Sequence, residues 1–240
     1  MRTLNTTHDY YPFCDLLHQK WFDKTLQFEH ELKELFQVDY SPEPYFVLKK
    51  GSNPLFMLLK NPGVGIDFQK HENFEKSNYK AFSNILADIY TSAQFKKEGG
   101  VKAHRKLINS IVFADYLGYN SVVNIETIPF HSPSLHKNKA LSTISKSWIL
   151  TRYQEVLKRF LLDKPVLIAA SCSSKSSITI NTITNSKWLM YQAELANICL
   201  ENLKFRELTK KKDKVTSALF SVHNKYIVLT MGSNNLPSIY

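Results

Sequence analysis

The stretch FMLLKNPGVGIDF, residues 56–68, contains an apolar run that stops at an asparagine and is followed by a proline and two glycines. Such a run, apolar on both faces, is typical of a buried strand in a parallel sheet. Pro62 fixes the chain direction after Asn61, and Gly63 and Gly65 allow a sharp turn and a close approach of a ligand to the backbone. Neither GxxxxGK[ST] nor GxGxxG is present, which excludes an NTPase phosphate loop and a dinucleotide fingerprint here. The alternative is an ordinary strand-to-loop turn capped by Asn61.

Three other apolar strands are predicted, and small, polar or kinked residues follow each of them. Because helical segments separate the strands, the pattern indicates a parallel or mixed sheet, and ligands bind beyond the carboxyl ends of such strands. We therefore expect one composite site. The strands and the segments after them are SVVNI (121–125) with ETIPFHSPS, VLIAAS (166–171) with the overlapping segment SCSSKSS, and KYIVLTM (225–231) with GSNNLPS.

The order of elements predicts an α/β fold with a central, mostly parallel sheet of four or slightly more strands, flanked by helices on both faces. Residues 44–240 are expected to form this single domain, and residues 1–43 an N-terminal helical extension packed on it. Further strands are predicted at 45–48 and 216–222. Helices are predicted at 11–36, 79–92, 101–117, 138–162 and 186–203, and KKKDK (210–214) is interpreted as a solvated basic turn.

Composition narrows the class of protein. The 240 residues carry 31 Lys and Arg against 21 Asp and Glu, a formal charge of +10, which favours a polyanionic partner and nucleic acid above all. A basic proteome is the other explanation. Cys14, Cys172 and Cys199 form no CxxC motif and are expected to be buried, reduced thiols. Without a signal peptide, a membrane span or a metal motif, we expect a soluble cytoplasmic monomer that needs neither metal nor cofactor.

The strand ending in Asn61, Pro62 and Gly63 resembles the first motif of the uracil-DNA glycosylase superfamily. It is most similar to the mismatch-specific, thymine-DNA-glycosylase-like branch, whose strand ends in Gly-Ile-Asn-Pro-Gly. The second signature of the superfamily is a strand ending in an asparagine, matched by Asn124. Its last motif is a strand followed by a Ser/Pro-rich loop that pushes into DNA, and KYIVLTMGSNNLPS is similar but lacks the usual histidine. The resemblance spans most of residues 45–240.

The resemblance implies a uracil-DNA-glycosylase-like fold and a monofunctional DNA glycosylase, which flips a base out of DNA and hydrolyses its N-glycosidic bond. Asn61 would position the water, Asp67 or Glu72 would act as the base or stabilise the cation, and His131 would donate to the leaving base or to a phosphate. Each also has a structural interpretation, as a turn, cap or loop residue. The implied base-binding residues are Phe68, Phe74 and Asn124, and the implied DNA contacts are Gly63, Gly65, Ser132, Ser173, Lys175, Ser233, Asn234 and Asn235, the last two forming a wedge with Leu236 and Pro237.

Departures from the family pattern bear on the substrate. Leu59 stands where the glycine of the first motif would be, Asn124 is followed by Ile-Glu-Thr, and the final histidine is missing. These departures favour a wider pocket for a modified or bulky pyrimidine, as in repair or anti-phage defence. Two alternatives stay open. One is a non-catalytic nucleic-acid-binding protein on the same fold, and the other is a nucleotide-directed hydrolase or transferase, although no GxSxG elbow exists.

Overall fold

One sheet of seven strands runs through the part of the chain that the computed structural model describes, namely residues 4–60, 62, 79–93, 96–97, 101–132, 137–173 and 176–232. The strand order across the sheet is β1-β3-β2-β4-β7-β6-β5. The strands are β1 (Tyr45–Lys49), β2 (Pro54–Leu59), β3 (Ser121–Glu126), β4 (Val166–Cys172), β5 (Lys204–Lys211), β6 (Lys214–Val222) and β7 (Lys225–Met231).

The sheet is parallel in its centre and antiparallel at both edges. Strands β3, β2, β4 and β7 are neighbours that all run in one direction. Strand β1 pairs with β3 antiparallel, and β7, β6 and β5 follow one another antiparallel. The α/β class and the single domain are thus confirmed. The expected size of the sheet is corrected from about four strands to seven. Three of its six strand pairings are parallel and three are antiparallel, so the sheet is mixed.

Burial on both faces explains the central strands. All six residues of β3 are buried, as are Leu55 to Leu58 in β2 and Val166 to Ile168 in β4. Parallel strands covered on both faces need such continuous apolar runs. Helices flank the sheet at α1 (Tyr10–Phe22), α2 (His30–Leu35), α3 (Tyr79–Thr91), α4 (Val101–Tyr116), α5 (Lys137–Lys146), α6 (Trp148–Leu161), α7 (Ile180–Thr184) and α8 (Lys187–Leu195), with a 3-10 turn at Leu200–Asn202.

Three predicted helices were drawn too long. The helix expected over 11–36 ends at Phe22, where Lys24 adopts a left-handed backbone (φ 55°), and resumes at His30. The helix expected over 138–162 is two helices, because Ser147 is an N-cap whose Oγ accepts from the Leu150 amide at 3.3 Å. The helix expected over 186–203 ends at Leu195. Apolar spacing continues across each break, so the pattern alone did not show these ends.

Strand β5 was missed, and the predicted basic turn at 210–214 proves to be the tip of the β5–β6 hairpin. Seven of the eight residues of β5 are exposed, and only Leu208 is half-buried. The strand therefore lacks the alternation by which a half-buried strand is recognised.

The N-terminal helix packs into the core. Phe13, Cys14 and Leu17 of α1 are fully buried. The ring of Tyr10 stacks on Phe160 of α6 with centroids 4.6 Å apart, and its hydroxyl donates to the Pro44 carbonyl oxygen at 3.0 Å. Helix α1 is thus joined to both α6 and the segment that leads into β1.

A buried lysine closes the end of helix α6. Lys225, the first residue of β7, is 5% exposed, and its Nζ donates to the carbonyl oxygens of Leu161 (2.6 Å), Leu162 (3.2 Å) and Lys164 (2.8 Å). These carbonyl groups have no partner within the helix, and a cation there also interacts favourably with the helix dipole. Burial lowers the pKa of Lys225 to about 8, with Asp163 acting in the opposite direction, so the ammonium form prevails at neutral pH.

Candidate functional site

The carboxyl ends of β2 and β3 are joined beyond the last paired residues of the strands. The amide and the hydroxyl of Thr127 both donate to the Leu59 carbonyl oxygen, at 3.0 and 2.5 Å. The Ile128 amide then donates to the Lys60 carbonyl oxygen at 3.0 Å. The pairing of the two strands thus extends to Lys60, the residue immediately before Asn61.

Side chains from two helices, α6 and α8, donate hydrogen bonds to this junction. Gln192 of α8 donates through Nε2 to the Leu59 carbonyl oxygen (3.2 Å) and to the Thr127 hydroxyl (3.1 Å). In α6, Gln154 donates to the Thr127 carbonyl oxygen, and the Tyr153 hydroxyl donates to the Glu126 carbonyl oxygen at 2.7 Å. Buried amides used in this way satisfy backbone groups that water would otherwise have to solvate.

We expect Gln192→Met to lower the free energy of unfolding by about 2 kcal/mol, because methionine fills the same space and makes neither hydrogen bond. Urea denaturation measures the change. The matched control is Gln19→Met, the same substitution at an exposed position of α1, which should change the stability by less than about 0.5 kcal/mol. Equal losses in the two variants would contradict the role given to Gln192.

Asn124 is a fully buried amide without a hydrogen-bond partner among the described residues. Its side chain is 0% exposed, and neither Oδ1 nor Nδ2 is paired. Asn124 lies beside Met57 in β2 and Phe46 in β1. An unpaired buried amide costs about 1–3 kcal/mol. A bound group that supplies one donor and one acceptor would recover this cost, since an amide offers both.

Glu126 is a buried carboxylate that the sequence interpretation passed over. It is the last residue of β3, is 3% exposed and lies beside Leu59. The register between β2 and β3 is regular, so Glu126 is on the same face as Asn124, about 7 Å further along the strand. The signal was the spacing of the two polar residues, two apart within an apolar strand. It was lost because the predicted strand ended one residue early, at Ile125.

His131 is buried behind the junction. Its Nε2 lies 3.1 Å from the Ser41 carbonyl oxygen, an acceptor, so Nε2 carries the proton of the neutral ring. The nearest Glu43 carboxylate oxygen is 3.7 Å away and would favour a charged ring. Burial lowers the pKa of His131 to about 4, with the hydrogen bond to the Ser41 carbonyl oxygen acting in the opposite direction. Nδ1 is left as an acceptor without a partner in the described chain.

The two described serines of the predicted DNA contacts differ in exposure. Ser132 is 5% exposed, whereas Ser173, directly after β4, is exposed. Ser177 and Ile178, further along the chain after β4, are joined to the start of β6. There the Ser177 Oγ accepts from the Val215 amide and the Ile178 amide donates to the Val215 carbonyl oxygen, both at 3.1 Å.

The other predicted site residues lie outside the described residues, so their arrangement stays a prediction. They are Asn61, Gly63, Gly65, Asp67, Phe68, Glu72, Phe74, Lys175, Ser233, Asn234, Asn235, Leu236 and Pro237.

Several general properties concern the described ranges alone. Within them, no three His, Cys, Asp or Glu side chains are grouped to hold a metal ion, and no helix is both long and apolar enough to span a membrane. The three thiols are free, but only Cys14 is buried, and the exposed Cys199 corrects the expectation of three buried cysteines. Two clefts lie among helices α5, α6 and α8, and none of the predicted site residues lines them.

Comparison of the chain with known protein families, with curated proteins and with solved structures finds no significant match. The candidate site is therefore judged by its own residues. These offer an unpaired amide and a carboxylate, both buried, at the end of β3, next to the strand that leads into Asn61.

Proposed function

We propose that the protein is a DNA glycosylase that flips a base out of DNA and hydrolyses its N-glycosidic bond. The supporting observation is the row of four parallel strands, β3, β2, β4 and β7, whose carboxyl ends share one edge of the sheet. The segments that resemble the uracil-DNA glycosylase motifs belong to β2, β3 and β7 or directly follow them, and the serine-rich SCSSKSS segment begins at the end of β4. Parallel sheets bind ligands at this edge.

Hydrolysis needs a placed water and a means of stabilising a cationic sugar. The water oxygen bonds to C1′ of the sugar, the C1′–N bond breaks, and its electron pair leaves with the base. In this proposal Asn61 orients the water and Glu126 receives its proton or stabilises the cation. Asp67 and Glu72 are the other carboxylates proposed for this role. General acid–base assistance of this kind is worth roughly 10²–10⁴ in rate.

Asn124 is the residue we assign to reading the base. The hydrogen-bonding edge of a pyrimidine presents carbonyl and N–H or amino groups, which match the acceptor and donor of an unpaired amide. The cost of leaving this amide buried and unpaired would be recovered only with a base in place. The departures of the motifs from the family pattern favour a modified or bulky pyrimidine as the substrate.

Base release is the test. The purified protein is incubated with unmodified, uracil-containing and phage-type modified DNA, abasic sites are scored by alkaline cleavage, and the freed base is identified by mass spectrometry. We expect Asn61→Ala and Glu126→Gln each to lower the rate by about a hundredfold or more. The control Asn181→Ala removes an exposed amide from α7 and should leave the rate unchanged.

The outcomes separate the candidate functions. Release that persists in Asn61→Ala would contradict the mechanism, and uracil as the sole base released would contradict the wide pocket. The burial of Asn124 and His131 favours a second candidate, a non-catalytic nucleic-acid-binding protein, since catalysis requires access to the site. Binding without release from any DNA would support it. Activity on free nucleotides with little salt dependence would instead indicate a nucleotide-directed enzyme.

A further inference from the structure

The β5–β6 hairpin is a basic arm at the edge of the sheet. Lys211 and Lys214 are the last paired residues, and Lys212 and Asp213 form the two-residue turn between them. Residues 210–214 contain four lysines and one aspartate. The side chains of Lys210, Lys211 and Lys212 are exposed, and Lys210 lies 3.3 Å from the carboxylate of Glu207.

The hairpin turn lies on the side of the sheet where the four parallel strands have their carboxyl ends, which is also the side of the candidate site. Strand β5 is antiparallel to β6, which is antiparallel to β7, so β5 runs in the same direction as the four parallel strands. Ser217 of β6 is paired with Thr230 near the end of β7. The residues before Ser217 therefore continue past Met231, and the turn projects about 10 Å beyond that strand.

Two features indicate that the tip has a role beyond closing a turn. Lys212 has a left-handed backbone, with φ at 49°, a conformation that glycine or asparagine adopts at lower cost. A charged side chain is thus kept at the tip despite the strain. The base of the arm is braced, because Val215 exchanges two hydrogen bonds with Ser177 and Ile178 after β4. Ser177 and Ile178 therefore lie beside the base of the arm that carries the lysines.

We propose that this hairpin binds the phosphate backbone of the DNA whose base is processed at the end of β2. The choice of DNA as the partner of the hairpin rests on the proposed function. Three to four strand spacings separate the hairpin from β2, which corresponds to roughly 17 Å. Duplex DNA rises 3.4 Å per base pair, so the lysines contact phosphates roughly five base pairs from the target base.

The test compares two triple variants with the same change in charge. The tip variant carries Lys210→Gln, Lys211→Gln and Lys212→Asn, the asparagine being compatible with the left-handed backbone. The control carries Lys50→Gln, Lys164→Gln and Lys204→Gln, at the opposite, amino-end edge of the sheet. Thermal unfolding establishes that both fold. Binding to a long duplex is then measured as a function of salt concentration, with base release measured in parallel.

We expect the tip variant to lose affinity on the order of a hundredfold at low salt, and the slope of log K against log salt to fall by about 3, one unit per lysine. The control should keep the affinity and the slope of the wild type. On a duplex that ends about three base pairs from the target on both sides, the wild type and the tip variant should bind equally, since the distal phosphates are missing.

Three results would overturn the proposal. Equal losses in both triple variants would mean that only the net charge matters. An unchanged slope in the tip variant, with base release intact in the wild type, would show that the hairpin does not bind DNA, while the proposed glycosylase function would stand. If the tip lysines were needed for binding to vesicles of anionic lipid and the protein did not bind DNA, the partner of the hairpin would be a membrane surface and not DNA. DNA binding that depends on the tip lysines, without any base release, would instead support the DNA-binding role of the hairpin and contradict the glycosylase function.

Discussion

Replacing Lys225 by methionine is expected to lower the free energy of unfolding by about 3 kcal/mol at pH 7. The substitution keeps the apolar stem and removes an ammonium that donates to three carbonyl oxygens at the end of α6. Hydrogen bonds to a charged group contribute about 1.5–3 kcal/mol each, and the relief from burying that charge offsets part of their sum. The loss dominates, because three acceptors lose a charged donor, even though the Leu161 oxygen also accepts from the Lys164 amide at 3.3 Å.

The measurement is urea denaturation at neutral pH, with the slope of the transition as a check for two-state unfolding. Lys204→Met is the matched control, since Lys204 is also the first residue of a strand but is exposed. Its stability should stay within about 0.5 kcal/mol of the wild type. If Lys225→Met were as stable as the control, the three hydrogen bonds would make no net contribution to the fold.

Acid should destabilise the protein by about 4 kcal/mol between pH 7 and pH 5, through two histidines that meet at Ser41. His18 Nδ1 lies 2.9 Å from the Ser41 Oγ, and His131 Nε2 lies 3.1 Å from the Ser41 carbonyl oxygen. Burial lowers the pKa of each to about 4, below the unfolded value of 6.5. As pH falls through this interval the unfolded chain takes up protons that the folded chain does not, so stability falls. The slope for each histidine approaches about 1.4 kcal/mol per pH unit only below pH 6.5, which amounts to about 2 kcal/mol for each histidine between pH 7 and pH 5.

The test compares the loss of stability between the two pH values rather than stability itself, because any substitution in the core has its own cost. In His131→Gln the loss should shrink by about 2 kcal/mol, since glutamine can donate to Ser41 and does not titrate. His223→Asn is the control, at an exposed turn with a left-handed backbone that asparagine tolerates, and should retain the full loss. A loss unchanged in His131→Gln would show that this histidine titrates normally.

The central strands were predictable because a strand that is buried on both faces is made of mostly apolar residues. Strands β2, β3 and β4 are covered on both faces, so their sequences are continuous apolar runs. Strand β5 was not predictable in this way, because it pairs with β6 while seven of its eight residues face water. The break at Ser147 was equally hidden, since helices α5 and α6 bury one continuous series of apolar positions.

The candidate site was predictable only as an edge of the sheet. The sequence indicated that polar residues cluster after the parallel strands, and Asn124 was found as a candidate. Glu126 was overlooked because the predicted strand ended at Ile125, whereas β3 ends at Glu126. Sequence patterns do not fix the end of a strand to one residue. The supports from Gln154 and Gln192 come from helices far along the chain, and polar residues in a helix carry no sign of which backbone group they meet.

The lysines of β5 also affect how the protein behaves at high concentration. A long edge strand offers unpaired backbone amides and carbonyls, which can pair with the same strand of another molecule and begin a continuous intermolecular sheet. Lys204, Lys210 and Lys211 line this edge, so a second copy would bring like charges together. The irregular pairing between Glu207 and Lys210 bends the edge further away from a straight template. Resistance to aggregation is thus built into β5, one of the two edge strands of the described sheet, whose side chains are almost all exposed.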